Sequence, residues 1–286
     1  MGIQMRTDLA SESRSLWMKN AGAAAALPGV RAESGSLRGI PLTAVEILDE
    51  TGADALGKAP GRYYTLELPS PLSRGDSRFS DAVLAIAAVL GRCLPEALEQ
   101  GVLIAALGNP DITPDALGSL AAGNLLVTRH LKARGDPAFR SFGNTLLCRT
   151  GVLGTTGVES AVQIRALCER IRPACVIAID ALAGSELSGL CRSVQICDTG
   201  IAPGSGVGND REALNRDFLG IPVIAVGAPT VIDASSFGQA AGLADLFVTP
   251  RFIDSAVRAL GRVIAYGINL ALHPGITIEE IDLLVG

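Results

Sequence analysis

The stretch that most constrains the fold of this chain is residues 102–118, VLIAALGNPDITPDALG. Its first six residues are apolar, which is typical of a short buried strand. After a Gly-Asn-Pro turn, Thr113 is expected to cap a helix and Pro114 to be its first residue. Asp115 would then lie in the first turn of a helix that continues to Leu131. The stretch therefore predicts a carboxylate at the carboxyl end of a strand, where open α/β sheets place their sites.

A second acid follows a second apolar run. Residues 174–179, ACVIAI, predict another buried strand, and Asp180 comes directly after it. If the two strands are neighbours, Asp115 and Asp180 could face one cleft. Two carboxylates in one site have split pKa values, so that one can be protonated while the other acts as a base that activates water for amide hydrolysis. A structural role stays open, because an Asp in a first helical turn also stabilises the helix dipole.

The rest of the chain predicts an α/β architecture. Its 286 residues are 48% hydrophobic, enough for a sizeable core in one large domain or in one domain plus a small subdomain. Further strands are predicted at residues 45–48, 63–68, 193–197 and 221–227, and helices at 76–100, 158–172 and 252–272. A helix-prone stretch follows Thr7, and residues 21–39 look like a hinge-like connection with a short strand near Val30. Alternating strands and helices predict a three-layer sandwich around a mostly parallel sheet.

Composition excludes several function classes. The net charge of −5 is spread along the chain, so we expect no nucleic-acid partner. No apolar run is long enough to span a membrane and no signal peptide is visible, so a soluble intracellular protein is expected. The six cysteines lack CxxC spacing and predict free thiols rather than a zinc site. The glycine-rich residues 200–208 are not followed by the Lys-Ser/Thr of a phosphate loop, and we predict neither a cofactor nor a metal.

Several long motifs together resemble the germination protease family of spore-forming bacteria. They follow one another in the family's order over nearly the whole chain: LGNPDITPDALG, GVLGTTGVES, VIAIDALA, ICDTGIAPGSGVGN, IPVIAVGAPTVIDA and FVTPRFID. One departure is Pro110, which stands where the family has a tryptophan. The resemblance implies an endopeptidase that starts the degradation of small acid-soluble spore proteins during germination. It also implies a homotetramer located in the cytoplasm of the forespore or spore core.

The resemblance also assigns roles to residues. The two catalytic aspartates proposed for this atypical aspartic peptidase family fall on Asp115 and Asp180. Family members are zymogens that remove their own N-terminus, and their substrates are cut within a motif similar to residues 7–12, TDLASE. It therefore implies a cut between Asp8 and Leu9, with residues 1–8 as a short propeptide and residues 9–286 as a single peptidase domain. The fold is expected to be similar to that of hydrogenase-maturation peptidases.

Alternatives stay open. Asp198, in ICDTG, is a third acid at the end of a predicted strand and could support the pair or replace either member. A metal-dependent maturation peptidase of the hydrogenase-maturation type would need a histidine near the site. The chain has two histidines, and His130 is expected a turn or more too far along its helix, while His273 ends another helix. Non-catalytic readings are a small-ligand binder that uses the glycine loops and a structural spore protein.

Overall fold

A computed structural model describes residues 7–21, 27–203, 212–237, 243 and 246–285 of the chain. The strands in these ranges are β1 Val30–Leu37, β2 Ile40–Ile47, β3 Gly61–Glu67, β4 Val102–Leu107, β5 Thr145–Gly151, β6 Cys175–Gly184, β7 Ser193–Cys197, β8 Val223–Asp233 and β9 Phe247–Val248. The α-helices are α1 Ala10–Ala21, α2 Glu50–Leu56, α3 Ser77–Cys93, α4 Leu117–Ala122, α5 Arg129–Ala133, α6 Leu153–Thr156, α7 Ser160–Ile171, α8 Arg216–Leu219, α9 Ile253–Leu272 and α10 Ile278–Val285.

All these strands form one sheet of mixed direction. The order is β1-β2-β3-β7-β8-β6-β4-β5, and β9 pairs with β8. The pairs β4–β5, β4–β6 and β6–β8 are parallel, whereas the other pairs are antiparallel. The prediction of a mostly parallel sheet was therefore wrong. A two-residue hairpin loop at Arg38 and Gly39, both at positive φ, starts the antiparallel half.

Helices cover both faces of the sheet, which confirms the predicted α/β class and its three layers. Neighbouring β6 residues face opposite sides, as the period of a strand requires. Ile177 packs into a large aliphatic core with α3, α4 and α9, whereas Ala178 packs into a second core with α7. A third core on the same side as α7 receives α1 and α2 against Tyr63 of β3.

The helix predicted from Thr113 to Leu131 is interrupted. Residues Thr113–Asp115 form a single 3-10 turn, α4 is a separate helix, and α5 begins only at Arg129. Thr113 does not cap this turn: its hydroxyl instead donates to Asp254 at 2.9 Å. Gly123 and Asn124 follow α4, and both residue types favour a helix end over a helix interior. Asp115 nonetheless lies in the first helical turn that follows β4, as predicted.

Other predictions need smaller corrections. The stretch expected to be a hinge contains the full strand β1, and residues 22–26 lie outside the described residues. Most of the glycine loop at residues 200–208 also lies outside them. Within the described ranges, none of the helices has both the length and the apolar composition that crossing a bilayer requires.

Candidate active site

Asp180 lies within β6, opposite the place where the neighbouring strand stops. The parallel register aligns Ala106 with Ile179, so Asp180 is level with the last residue of β4. The strand continues beyond Asp180 to Gly184, which corrects the expectation that this acid ends its strand. Asp180 is only 4% exposed, and its Oδ1 accepts from the backbone N–H of Ala181 at 3.0 Å.

Asp115 is fixed by the turn that leaves β4. The backbone N–H of Asn109 donates to Asp115 Oδ2 at 2.7 Å, and the Asn109 side chain accepts from the Asp111 N–H at 3.0 Å. Gly108 has φ of +90°, and a Cβ there would lie 2.0 Å from the Asp115 carbonyl oxygen. The Gly-Asn sequence is therefore required for the chain to double back and place this carboxylate, and Pro110 is compatible with that turn.

The structure brings the two acids to one cavity of about 390 Å³, which we call the dyad cavity. Its walls combine these polar groups with apolar side chains, a composition typical of small binding sites. The lining residues include Leu107, Ile112, Pro114, Asp115, Asp180, Leu182, Thr230 and Phe247. Asp8 also lines it, so the N-terminal part of the chain reaches the two carboxylates.

A row of residues crosses the sheet from the dyad cavity towards β3. The registers of β3, β7, β8 and β6 place Thr65, Gln195, Gly227 and Asp180 side by side. Directly opposite residues of neighbouring strands have side chains on one face, at about 4.8 Å per strand. Gly227 carries no side chain, so there is space between Gln195 and Asp180. A second cavity of about 280 Å³ occupies that space and is lined by all three residues and by Asp8.

The bond predicted to be cut lies over this row. The Asp8 N–H donates to the Ala183 carbonyl at 2.9 Å, and the Ala183 N–H donates to Asp8 Oδ2 at 2.8 Å. Gln195 spans the bond: its Nε2 donates to the Asp8 carbonyl at 2.9 Å, and its Oε1 accepts from the Ala10 N–H at 2.7 Å. Leu9, on the other side of the bond, is 1% exposed. This segment is thus docked by hydrogen bonds on both sides of the bond predicted to be cut.

Lys58 supplies a cation beside the same segment. Its Nζ donates to the Thr7 carbonyl at 3.2 Å. Burial lowers the pKa of this ammonium group, and the nearby Asp8 carboxylate opposes that shift. Lys58 also lines the second cavity together with Asp8 and Asp180. The site therefore contains a half-buried lysine next to an acidic residue of the N-terminal segment.

Asp198 lies elsewhere. Because β7 runs antiparallel to β8, the carboxyl end of β7 lies at the opposite edge of the sheet from Asp115. Asp198 forms an ion pair with Arg62 there, with Nε and Oδ2 2.7 Å apart, and it is not among the residues that line either cavity. The sequence shows that this acid ends a strand, but it does not show the direction of that strand.

The other candidate nucleophiles and ligands are not arranged for chemistry. Burial raises the pKa of the Cys93 and Cys175 thiols to about 12, so these groups stay protonated at neutral pH. His273 is buried at the end of α9, and His130 lies in α5 rather than in a helix that begins at Asp115. Across the part of the chain that the structure describes, no group of three or more His, Cys, Asp or Glu side chains could hold a metal ion.

Sequence reasoning missed the residues around the docked segment. Gln195 and Lys58 lie in unremarkable contexts, VQICD and LGKAPG, and only long-range strand pairing brings them to the site. Ser185 is a third missed residue, and it contacts Glu12 at the start of α1. No local motif indicates any of these three contacts, because each joins parts of the chain more than fifty residues apart or follows a sheet register.

Fold and site together define an α/β protein with two carboxylates in one cavity, a class suited to acid–base chemistry on a bound substrate. The sequence profile of the germination protease family matches residues 7–242. The germination protease of Caldanaerobacter subterraneus is 35% identical over 99% of this chain and 98% of its own length. That of Clostridium perfringens is 36% identical over 97% and 98%, and that of Bacillus cereus is 38% identical over 92% and 70%.

The chain therefore belongs to the germination protease family. This confirms the resemblance drawn from the motifs. It also makes the chain a peptidase, and thus a hydrolase, of a family that acts in spore germination.

Proposed function

We propose that this chain is an endopeptidase that starts the degradation of small acid-soluble spore proteins during germination, and that Asp115 and Asp180 are its catalytic pair. One observation carries the proposal: both carboxylates line a single cavity, and Asp8 lines the same cavity. The family resemblance predicts the bond after Asp8 to be the cut site. The acids and a bond of the expected kind are thus close together.

The chemistry follows from two carboxyl groups that share one cavity. One carboxylate removes a proton from a water molecule, which then attacks the peptide carbonyl. The other, protonated, donates to the carbonyl oxygen or to the leaving amine. Like charges in one site favour this division, because only one of the pair then needs to be ionised. No covalent intermediate is needed, consistent with thiols whose pKa values are raised by burial.

The proposal includes control by the N-terminus. In the uncut chain, Asp8 and Leu9 occupy the space next to the dyad cavity, where a substrate peptide would have to lie. Their contacts with Ala183 and Gln195 support an inactive state in which the chain blocks its own site. Cutting between Asp8 and Leu9 would release residues 1–8 and leave residues 9–286 as the mature peptidase domain.

Several further features rest on the family resemblance alone. We propose a homotetramer in the forespore or spore core, with small acid-soluble spore proteins as its substrates. We propose no nucleic-acid or membrane partner and no cofactor. The likeness of the fold to hydrogenase-maturation peptidases stays a prediction.

Incubation with a purified small acid-soluble spore protein tests the activity. Wild-type protein, after N-terminal processing, should cut it at the bond after the acidic residue of a motif that resembles TDLASE. Asp115→Asn should cut it at least ~10² times more slowly, the usual contribution of a general acid or base. Intact substrate with processed wild-type protein, or equal rates for the two proteins, would refute the proposal.

A further inference from the structure

A built receptor for a carboxylate lies next to the dyad cavity, and the chain's own Glu12 fills it. Glu12 is 6% exposed. Its Oε2 accepts from three donors: the Ser185 N–H at 2.6 Å, the Ser185 hydroxyl at 2.8 Å and the Thr7 hydroxyl at 2.6 Å. Such charge-assisted hydrogen bonds are about twice as strong as neutral ones. The hydrogen bonds from these three donors therefore offset the free-energy cost of burying the Glu12 carboxylate.

Two glycines make room for this carboxylate. A Cβ at Gly184 would lie 3.4 Å from Glu12 Oε1, and one at Gly189 would lie 3.3 Å from the same oxygen. The Gly189 distance is tighter than an ordinary contact and the Gly184 distance is at the limit of one, so the carboxylate fits closely against both glycines. The shape of the receptor and its donors both fit a carboxylate at this position.

A second receptor, two residues earlier, accepts the acid at position 8. The N–H of Ala183 donates to Asp8 Oδ2 at 2.8 Å. Ser185 is the first residue after β6 and lies two positions beyond Ala183, so their N–H groups are no more than about 6.6 Å apart. An extended peptide would separate positions 8 and 12 by about 13 Å. Four helical residues rise only about 6 Å, so a wound segment matches the two receptors.

The register is set between the two receptors by Gln195. Its amide donates to the carbonyl of the bond proposed for cleavage and accepts from the N–H two residues later. Such a two-point contact fixes both the position and the direction of the backbone. It is not selective for side chains, so it complements the two acid receptors.

We propose that Ala183, Ser185 and Gln195 form a recognition strip that selects peptides with two acidic residues four positions apart, bound with a wound turn after the first acid. The strip holds the bond after the first acid beside the dyad cavity. A substrate with the order of residues 7–12 would displace the chain's own segment from it. The proposal rests on the proposed function only in placing the cut after Asp8, and Ser185 and Gln195 are positioning residues in it.

Amide hydrogen–deuterium exchange of the full-length chain tests the strip directly, with intact mass used to verify that the chain is uncut. In Glu12→Gln and in Gln195→Glu, the peptide spanning residues 7–12 should exchange at least about tenfold faster. The first change removes the charge from the hydrogen bonds that Glu12 accepts, and the second removes the hydrogen bond that Gln195 donates to the Asp8 carbonyl. The matched controls Glu99→Gln and Gln100→Glu alter exposed side chains at the opposite edge of the sheet and should behave as wild type.

Exchange rates of the peptide spanning residues 7–12 within about twofold of wild type in both site variants would contradict the proposed recognition strip. Glu12→Gln changes only the docked segment, so it stays informative if Gln195→Glu, which lies in β7, impairs folding. This measurement needs no catalysis. A wild-type chain that docks its segment but is never processed would therefore contradict the proposed function and leave the strip supported.

A specificity measurement separates recognition from simple structural support. Processed wild-type enzyme should cut a peptide with the sequence of residues 3–14 about tenfold more efficiently, by kcat/KM, than the same peptide with Gln at the position of Glu12. Ser185→Ala should reduce that ratio by about threefold, since one of the three donors is lost. An unchanged ratio in Ser185→Ala would assign Ser185 a structural role only and contradict its part in the strip.

Discussion

Two helices dock on this sheet in opposite ways. Eleven of the twenty residues of α9 are buried, and most of them are aliphatic side chains that pack against α3 and the sheet. Only two of the twelve residues of α1, Ala10 and Glu12, are buried. At the start of α1, polar contacts with Gln195 and Ser185 lie beside the small apolar core that receives Ala10, and the other end of α1 has an exposed ion pair between Lys19 and Glu186.

The difference shows which part of the molecule can move without unfolding. Each buried aliphatic side chain contributes roughly 1.5–3 kcal/mol, so separating α9 from the sheet would cost much of the stability of a domain. A typical net hydrogen bond contributes about 0.5–1.5 kcal/mol, because water replaces the partner when the bond opens. We therefore expect α9 to be a permanent part of the core and the start of α1 to be a reversible cover on the site.

The largest expected effect concerns chemistry, to which neither helix contributes a catalytic residue. Asp115→Asn and Asp180→Asn should each lower peptide hydrolysis at least ~10²-fold, and the double variant should be little slower than either single one because the pair acts as a unit. Initial rates with a peptide substrate measure this, and the far-ultraviolet spectrum checks the fold. Near-normal rates in either single variant would remove that residue from the mechanism.

The next effect is on stability and separates the two helices. Ile264→Ala in α9 should lower the free energy of unfolding by about 2–5 kcal/mol, since it leaves a cavity in the main core. Lys19→Ala in α1 should change it by less than about 1 kcal/mol, as is usual for an exposed ion pair. Urea titration measures both. Similar losses in the two variants would show that α1 docks as firmly as α9.

Much of this architecture follows from local sequence, and the predictions that were wrong share a common cause. The apolar runs that became β4, β6 and β7 were predicted because residue type alone determines burial in short strands. Strand direction was not predictable, since an apolar run has the same composition in either direction, so the sequence could not show which end of the sheet Asp198 occupies.

Asp180 was predictable because it directly follows an apolar run, and Asp115 because it lies in the predicted helix start after the turn that ends the other run. Gln195 and Ser185 were not, since their contacts depend on how distant strands and α1 come together. The break after α4 was missed because an apolar pattern continues past Gly123, at Leu125, Leu126 and Val127, into a stretch that is not helical.

The last effect is confined to acidic pH and is a pH dependence of stability at the end of α9. The His273 side chain is 1% exposed, and this burial lowers its pKa to about 4, although a hydrogen bond with the backbone of Leu126 opposes the shift. The unfolded chain, with a pKa near 6.5, then binds more protons than the folded one. His273 therefore favours folding fully above pH 6.5, and this contribution falls by about 3 kcal/mol as the pH drops to 4.

Melting temperatures of wild type and His273→Phe between pH 7 and pH 4 measure this term. Wild type should lose more stability than the variant across that interval, while both should keep α1 docked at pH 7. Parallel curves for the two proteins would show that the buried imidazole does not cause the acid sensitivity.

The central claim is that the two carboxylates cut the bond that lies beside them. Intact mass and N-terminal sequencing of the purified chain, followed over time, test it most directly. The wild-type chain should lose residues 1–8 and acquire the terminus Leu-Ala-Ser-Glu-Ser, whereas Asp115→Asn, produced without wild-type enzyme, should keep its original terminus. A cut between Asp8 and Leu9 that proceeds equally in Asp115→Asn, or fully active wild-type protein that retains residues 1–8, would contradict the account.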